Sequence, residues 1–255
     1  MTTEQFQEQL NSFENHFRNA LVTATGDWVI KGFIDIHQNI YTISVDTKVI
    51  SKIIELMLFP VIVDFAKQYD YEFVLSEHQN HYPDITFIAK DGTKFAVDFK
   101  STYRINSKAV SGFTLGAFTG YFRHRQSRKN ITFAYSDYTG HFVVGIIYSR
   151  TALAIDERQS YTIADLPHIT SVANNFDFIL QEKWRIAHDK AGSGNTKNIG
   201  SIKNIKKLLS GNGTFAPYNQ KIFDDYWMNY LTKDMARAID SLVPYQNVED
   251  YLLWR

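Results

Sequence analysis

Residues 80–103 read NHYPDITFIAKDGTKFAVDFKSTY, which predicts a β-hairpin with its turn at Asp91-Gly92. Side chains alternate between the two faces of a strand, so Asp98 and Lys100 share one face of the second strand and its apolar side chains share the other. Asp84 likewise lies opposite the apolar side chains of the first strand. The hairpin therefore carries charged groups on faces where a charge is costly unless it has a partner.

The register of the hairpin decides whether these charged groups meet. A two-residue turn would pair Asp84 with Phe99 and place it on the other face from Asp98. A loop of three or five residues, or a bulge, would bring Asp84 to the face of Asp98 and Lys100. A shared site requires one of these longer connections.

Two carboxylates about 4 Å apart repel by roughly 4 kcal/mol at an effective dielectric constant near 20. A divalent cation would offset this repulsion, and a set of oxygen ligands favours Mg²⁺. Such an ion polarises a phosphate, and a neighbouring ammonium group can offset charge on it, so the pattern is typical of phosphodiester hydrolysis. The alternative is that Asp84 and Lys100 are edge charges that protect a strand from aggregation.

The formal net charge of the 255 residues is zero, but the basic residues are clustered. Residues 100–130 contain seven Lys or Arg and no acid, and residues 185–207 contain six against one aspartate. The rest of the chain therefore carries an equal excess of acids. This separation favours a basic face that binds an anionic polymer, although ordinary solvated surface is the alternative for either run alone.

Composition and periodicity predict an α/β fold with a central mixed sheet flanked by helices. Hydrophobic residues make up 44% of the chain and aromatic residues 15%, which excludes a wholly disordered protein. A long helix is expected from an N-cap at Asp46 to Gln68, with Pro60 inside it. The other expected elements are helices at 4–20, 113–125 and 223–235 and strands at 28–36, 40–44, 71–76, 84–89, 95–100, 131–135 and 142–149.

The chain has no cysteine, so its chemistry does not depend on thiolates or disulfides. The N-terminal residues are polar and acidic, and the most apolar run, 53–65, is too short to span a bilayer. We therefore expect a cytoplasmic protein without a membrane partner.

Thirteen residues separate Pro83-Asp84 from Asp98-Phe99-Lys100, and this arrangement resembles the PD-(D/E)xK nuclease signature. The surrounding letters resemble the EcoRV family of type II restriction endonucleases along most of the chain. The matching motifs are QNHYPD at 79–84, DTKVIS at 46–51, FTLG at 113–116 and AGSGNTKNIGSI at 191–202. The resemblance implies the fold of that superfamily and Mg²⁺-dependent hydrolysis of double-stranded DNA.

In that family, the matching positions imply that Asp84 and Asp98 bind Mg²⁺ and that Lys100 is the catalytic lysine. Glu55 matches a helix carboxylate near the metal, although it could equally be a solvated partner of Lys52 at helical spacing.

The segment AGSGNTKNIGS matches the recognition loop of the family, which enters the major groove. Asn195 can form the paired hydrogen bonds that adenine offers, and the methyl group of Thr196 can meet that of thymine. Gln79 and Asn80 match a second loop that follows the minor groove. The remaining candidates for DNA or phosphate contact are Gly192, Ser193, Gly194, Asn198, Thr102, Thr114 and Thr119. The resemblance implies the site GATATC with blunt cleavage.

We expect one domain over residues 1–255, in which about 1–44 contribute to a homodimer, 45–150 form the catalytic core and 185–207 carry the recognition loop. A palindromic site read once per subunit implies two-fold symmetry. A cognate methyltransferase is the expected counterpart. The alternatives are a sequence-indifferent repair or junction nuclease of the same superfamily and a non-catalytic DNA-binding regulator.

Overall fold

The computed structural model describes residues 1–78, 80–152, 156, 158–192 and 197–255. In these ranges the α-helices are α1 Thr3–Ser12, α2 Glu14–Leu21, α3 Thr47–Tyr69, α4 Lys183–Ile186, α5 Ile205–Leu209, α6 Gln220–Asn229, α7 Lys233–Ala238 and α8 Val248–Trp254. The strands are β1 Gly32–Ile34, β2 Ile40–Thr42, β3 Glu72–Leu75, β4 Ile85–Ile88, β5 Lys94–Tyr103, β6 Thr114–Ala117, β7 Tyr138–Arg150, β8 Ser160–Tyr161, β9 Ala173–Glu182, β10 Ala187–Ala191 and β11 Asn198–Ser201.

A five-stranded mixed sheet with the order β3-β4-β5-β7-β9 forms the centre of the fold. The β5–β7 pair is parallel and the other neighbours are antiparallel. Two smaller sheets, β1-β2-β8 and β10-β11-β6, complete the arrangement. The predicted fold class is confirmed, and the charged hairpin forms the second and third strands of the five.

The hairpin between β4 and β5 has a three-residue loop. Ile85 pairs with Val97, and the amide of Ala89 donates to the carbonyl of Thr93 over 2.9 Å. Gly92 in the loop has φ of +80°, a conformation that glycine adopts without steric cost. This register puts Asp84 across from Asp98, which is the arrangement that a shared site requires.

Two apolar clusters cover the two faces of the central sheet. Helices α1, α2 and α3 pack on one face, where Phe6 stacks on Phe95 at a centroid distance of 4.3 Å. The other face is covered by an aromatic cluster that includes Tyr226 and Trp227 of α6. Both large faces are therefore dry, and the strands between them are held rigidly.

Helix α3 follows from a capped start and an apolar stripe. The Asp46 carboxylate accepts hydrogen bonds from the amides of Lys48 and Val49, as an N-cap does. Ile50, Ile54 and other residues at helical spacing are buried against the sheet. The predicted helix is confirmed, with Pro60 inside it.

The helices predicted at 4–20 and 223–235 are each divided in two, as α1 and α2 and as α6 and α7, and two other predicted elements are wrong. Residues 113–125 form β6 and a 3₁₀ turn at Gly120–Phe122 instead of an α-helix, because Gly116 and Gly120 have φ of +90° and +58° and β6 pairs with β11. The expected strand at 131–135 is reduced to one bridge between Ile131 and Tyr82, followed by a 3₁₀ turn.

Among the described residues, no helix combines the length and the apolar character needed to cross a bilayer.

Candidate active site

The site forms where β5 extends past its neighbour β4. The β4–β5 pairing ends at Ile85 and Val97, so the next amides of β5 have no strand partner on that side. The Asp84 carboxylate takes this place, because its Oδ2 accepts a hydrogen bond of 2.7 Å from the amide of Phe99. The hydrogen bond fixes the Asp84 side chain beside the Asp98 strand position.

Lys100 links the two acids. Its Nζ lies 2.6 Å from Asp98 Oδ2 and 3.8 Å from Asp84 Oδ2, and it also donates to the Phe99 carbonyl over 3.1 Å. Asp98 is buried, whereas about a third of the Asp84 side chain is exposed. The structure therefore brings the predicted trio together on one face of the sheet.

The trio contains two carboxyl groups but only one ammonium group, so its negative charge is incompletely balanced. Burial, followed by the negative charge of Asp98, raises the pKa of Asp84 to about 7, against the opposing effects of Lys100 and the Phe99 amide. Burial disfavours the Lys100 ammonium, but the charges of Asp98 and Asp84 outweigh it and raise the pKa of Lys100. One ammonium is thus shared between two acids, and one acid is held near neutrality.

This donor set fits a divalent cation. Carboxylate oxygens are the ligands of hard divalent ions, and a second positive charge would relieve the repulsion that raises the pKa of Asp84. In the described part of the chain, no group of three or more His, Cys, Asp or Glu side chains is close enough to form a metal site. A bound ion would therefore complete its coordination with water and substrate.

Glu55 lies on α3, and its negative charge is one of the causes that raise the pKa of Lys100. Its carboxylate pairs with Lys52 Nζ at 2.7 Å, which is the alternative interpretation of its spacing. Glu55 and Asp84 both line a groove of about 430 Å³ on the α3 side of the hairpin. A metal role for Glu55 remains a prediction.

The trio lines a cleft of about 800 Å³. Four predicted DNA-contacting residues line the same cleft: Asn80, Thr114, Thr119 and Asn198. Thr102 does not line it, and this threonine is buried in β5.

The predicted base-reading residues lie mostly beyond the described structure. Gln79, Ser193, Gly194, Asn195 and Thr196 are outside the described residues. Gly192 is described, and its amide donates to the Asn198 carbonyl over 2.8 Å. This hydrogen bond closes the base of the β10–β11 connection, beside the cleft that Asn198 lines.

The segment from Tyr121 to Asn130 forms a cleft wall that no motif predicted. His124, Ser127 and Lys129 line the cleft there. The sequence signal was the basic run at 100–130.

Part of both basic runs is neutralised, because Arg104 pairs with Asp177, Arg125 with Asp224 at 3.0 Å and Arg185 with Glu182 at 3.0 Å.

A basic groove continues from the cleft along the β10–β11 hairpin. Thr114 lines both spaces, and His188, Lys190 and Lys203 line the second, which measures about 700 Å³. Together they form a polar surface that carries several lysines, which suits a polyanion backbone.

Comparison with known proteins agrees with this geometry. A family model described as restriction endonuclease EcoRV matches residues 24–255. The type II restriction enzyme EcoRV of Escherichia coli is 35% identical over 246 residues, which cover 95% of this chain and 97% of that protein. Nucleases of this kind generally use a divalent metal, and DNA is their substrate. Because the family model matches residues 24–255 and the relative is 35% identical over nearly the whole chain, this chain belongs to the EcoRV family of restriction endonucleases and is a type II site-specific deoxyribonuclease.

Proposed function

We propose that this enzyme uses Mg²⁺ to cut both strands of DNA at the palindrome GATATC, leaving blunt ends. The observation that carries the chemistry is the trio of Asp84, Asp98 and Lys100 in one cleft. The letters GSGNT at 192–196 support the choice of palindrome, because they match the recognition loop of the family.

Asp84 and Asp98 would hold the ion through carboxylate oxygens. Bound there, Mg²⁺ would supply Lewis-acid chemistry to the scissile phosphate. Lys100 acts as an electrostatic stabiliser: its pKa is raised, so its ammonium stays charged and can donate hydrogen bonds to the phosphate. Glu55 is assigned a supporting role in metal binding, through the groove that it shares with Asp84.

DNA recognition is divided between base-reading segments and backbone contacts. Gly192, Ser193, Gly194, Asn195 and Thr196 are proposed to read the major groove. Gln79 and Asn80 would follow the minor groove. Thr114, Thr119 and Asn198 are proposed to contact phosphates, which their position along the cleft supports. Buried Thr102 would support β5 from within the fold.

The enzyme is proposed to act as a homodimer, because a palindrome offers two equivalent half-sites. Residues 1–44 would contribute the interface, residues 45–150 the catalytic core and residues 185–207 the recognition region of one domain. Exposed apolar side chains at Phe33, Ile34 and Ile36 support this. The apolar side of the first predicted helix is buried in its own core. We also propose a cytoplasmic location and a cognate methyltransferase that protects the host sequence.

A cleavage assay tests this function. The protein is incubated with a sequenced plasmid and Mg²⁺, and the fragment ends are sequenced. Uniform blunt ends at GATATC are expected. Uniform ends at another sequence would refute the proposed site, and random ends would instead favour a sequence-indifferent nuclease.

The variant Asp98→Ala tests the metal assignment, with Asp64→Ala on the exposed side of α3 as the matched control. Asp98→Ala should abolish cleavage while the protein still unfolds cooperatively, and the control should cut normally. An active Asp98→Ala enzyme would refute the role of the acid pair.

Asn195→Ala tests base reading. The variant should lose discrimination at adenine more than it loses nonspecific DNA affinity, measured by competition binding with substituted duplexes. Equal losses on every duplex would show that Asn195 does not read a base.

A further inference from the structure

A buried lysine lies behind the cleft wall, outside the catalytic trio. Lys183 begins α4, directly after β9, and only 1% of it is exposed. Among the described residues, its Nζ has no hydrogen-bond partner. Lysine is almost never fully buried without a partner, so this position needs an explanation.

The Lys183 ammonium is held in a cage of aromatic rings. Its Nζ lies 4.6 Å from the ring centre of Tyr82, 5.6 Å from that of Tyr135 and 5.8 Å from that of Phe122. The negative faces of these rings attract a cation, although they do not replace the hydrogen bonds that water provides. Burial lowers the pKa of Lys183 to about 8, so the charged form still predominates at neutral pH.

The cage touches the cleft. Tyr82 lines the cleft, and its ring forms one side of the cage. Gly116 also lines the cleft, and a Cβ atom at this position would lie only 3.8 Å from Lys183 Nζ. The charge of Lys183 also interacts with that of Asp98. One layer of protein thus separates this ammonium from the space where DNA would bind.

Burial of the Lys183 ammonium costs hydration free energy, but the buried charge can also stabilise negative charge in the cleft. A methionine of similar length would fill the cage without losing hydration, so packing alone does not account for lysine. A fixed charge held inside the protein stabilises nearby negative charge more effectively than one in water.

We propose that Lys183 is a supporting residue of the nuclease site, whose caged ammonium acts through the cleft wall to offset the negative charge that builds up on the phosphate during cleavage. This inference rests on the proposed site chemistry. Lys183 touches neither DNA nor the reacting atoms, so it differs from Lys100, which reaches both acids directly.

The test compares Lys183→Met, Lys183→Gln and the control Lys67→Met, which removes an exposed lysine of α3. Three quantities are measured: the melting temperature in EDTA, the dissociation constant for a GATATC duplex without metal, and the single-turnover cleavage rate with Mg²⁺. Lys183→Met should raise the melting temperature by about 2–4 °C, lower the cleavage rate roughly 10-fold and change DNA affinity less than about 3-fold.

A higher melting temperature with an unchanged cleavage rate would overturn the inference, because the charge would then have no part in catalysis. Lower melting temperatures in both Lys183 variants would also overturn it, because the lysine would then be a structural anchor. Should the methionine variant not fold, the glutamine variant is judged by the rate and affinity criteria. An unmodified enzyme that cuts no DNA would refute the proposed site chemistry and this inference with it.

Discussion

Asp84→Asn replaces the acid whose pKa is most strongly disturbed by the site. The amide oxygen of asparagine can still accept the hydrogen bond from the Phe99 amide, so the backbone beside β5 keeps its partner. The variant removes the negative charge that lies near Asp98. It therefore separates the electrostatic cost of the acid pair from its structural role.

The size of this cost follows from the pKa of Asp84. A rise from 3.8 to about 7 corresponds to about 4 kcal/mol. About a third of the side chain is exposed, and solvent screening reduces the expected contribution to about 2 kcal/mol. Because the folded-state pKa is raised, the folded protein favours the neutral acid. This stability is fully present below pH 3.8 and is lost as the pH rises through about 7.

Urea unfolding in EDTA at about pH 4 and about pH 8 measures this effect. Between these conditions, the wild-type protein should lose about 2 kcal/mol more stability than Asp84→Asn. Asp64→Asn, an exposed substitution on α3, should behave like wild type. An Asp84→Asn protein with the wild-type pH dependence, or one less stable than wild type at the higher pH, would refute this account of the pair.

Three further substitutions test the catalytic site and helix α3. Lys100→Met removes the shared ammonium and should destabilise the metal-free protein by about 2 kcal/mol at neutral pH, measured by urea unfolding. In the same measurement, added Mg²⁺ should stabilise this variant more than it stabilises the wild-type protein. Asp46→Ala removes the cap of α3 and should cost about 1 kcal/mol by the same measurement. Leu58→Ala empties a fully buried position of α3 and should cost about 2–5 kcal/mol; a loss below 1 kcal/mol would show that the core closes over the gap.

The central hairpin and α3 were predictable because their sequence patterns are local. Alternation along β5 places Asp98 and Lys100 on one face, and the carboxylate of Asp46 caps α3. The register was not predictable from Asp91-Gly92, since this pair suits a two-residue turn as well as the three-residue loop observed. Tertiary pairing selected the longer loop.

The cleft walls were harder to predict because they depend on long-range contacts. Residues 113–125 have helical periodicity, but pairing with β11 makes Thr114–Ala117 a strand. The glycines at 116 and 120 were the available signal against a helix. Lys183 gave no signal, because a lysine in sequence is ordinarily an exposed residue. Its burial depends on rings from three separate parts of the chain.

The hydrogen bond from the Phe99 amide to the Asp84 carboxylate restricts which residues can replace Asp84 without disturbing the sheet, even in an enzyme that has lost its activity. The pairing of β5 with β4 ends at Val97 and Ile85. Beyond this pair, the Phe99 amide of β5 relies on the Asp84 side chain as its hydrogen-bond acceptor. A relative that drifts towards a silent enzyme can therefore exchange Asp84 for asparagine and keep its sheet. Valine or leucine at position 84 would leave an unsatisfied amide beside a buried strand and cost about 1–3 kcal/mol. Inactive descendants of this fold should accordingly retain a polar residue there, long after they have stopped cutting DNA.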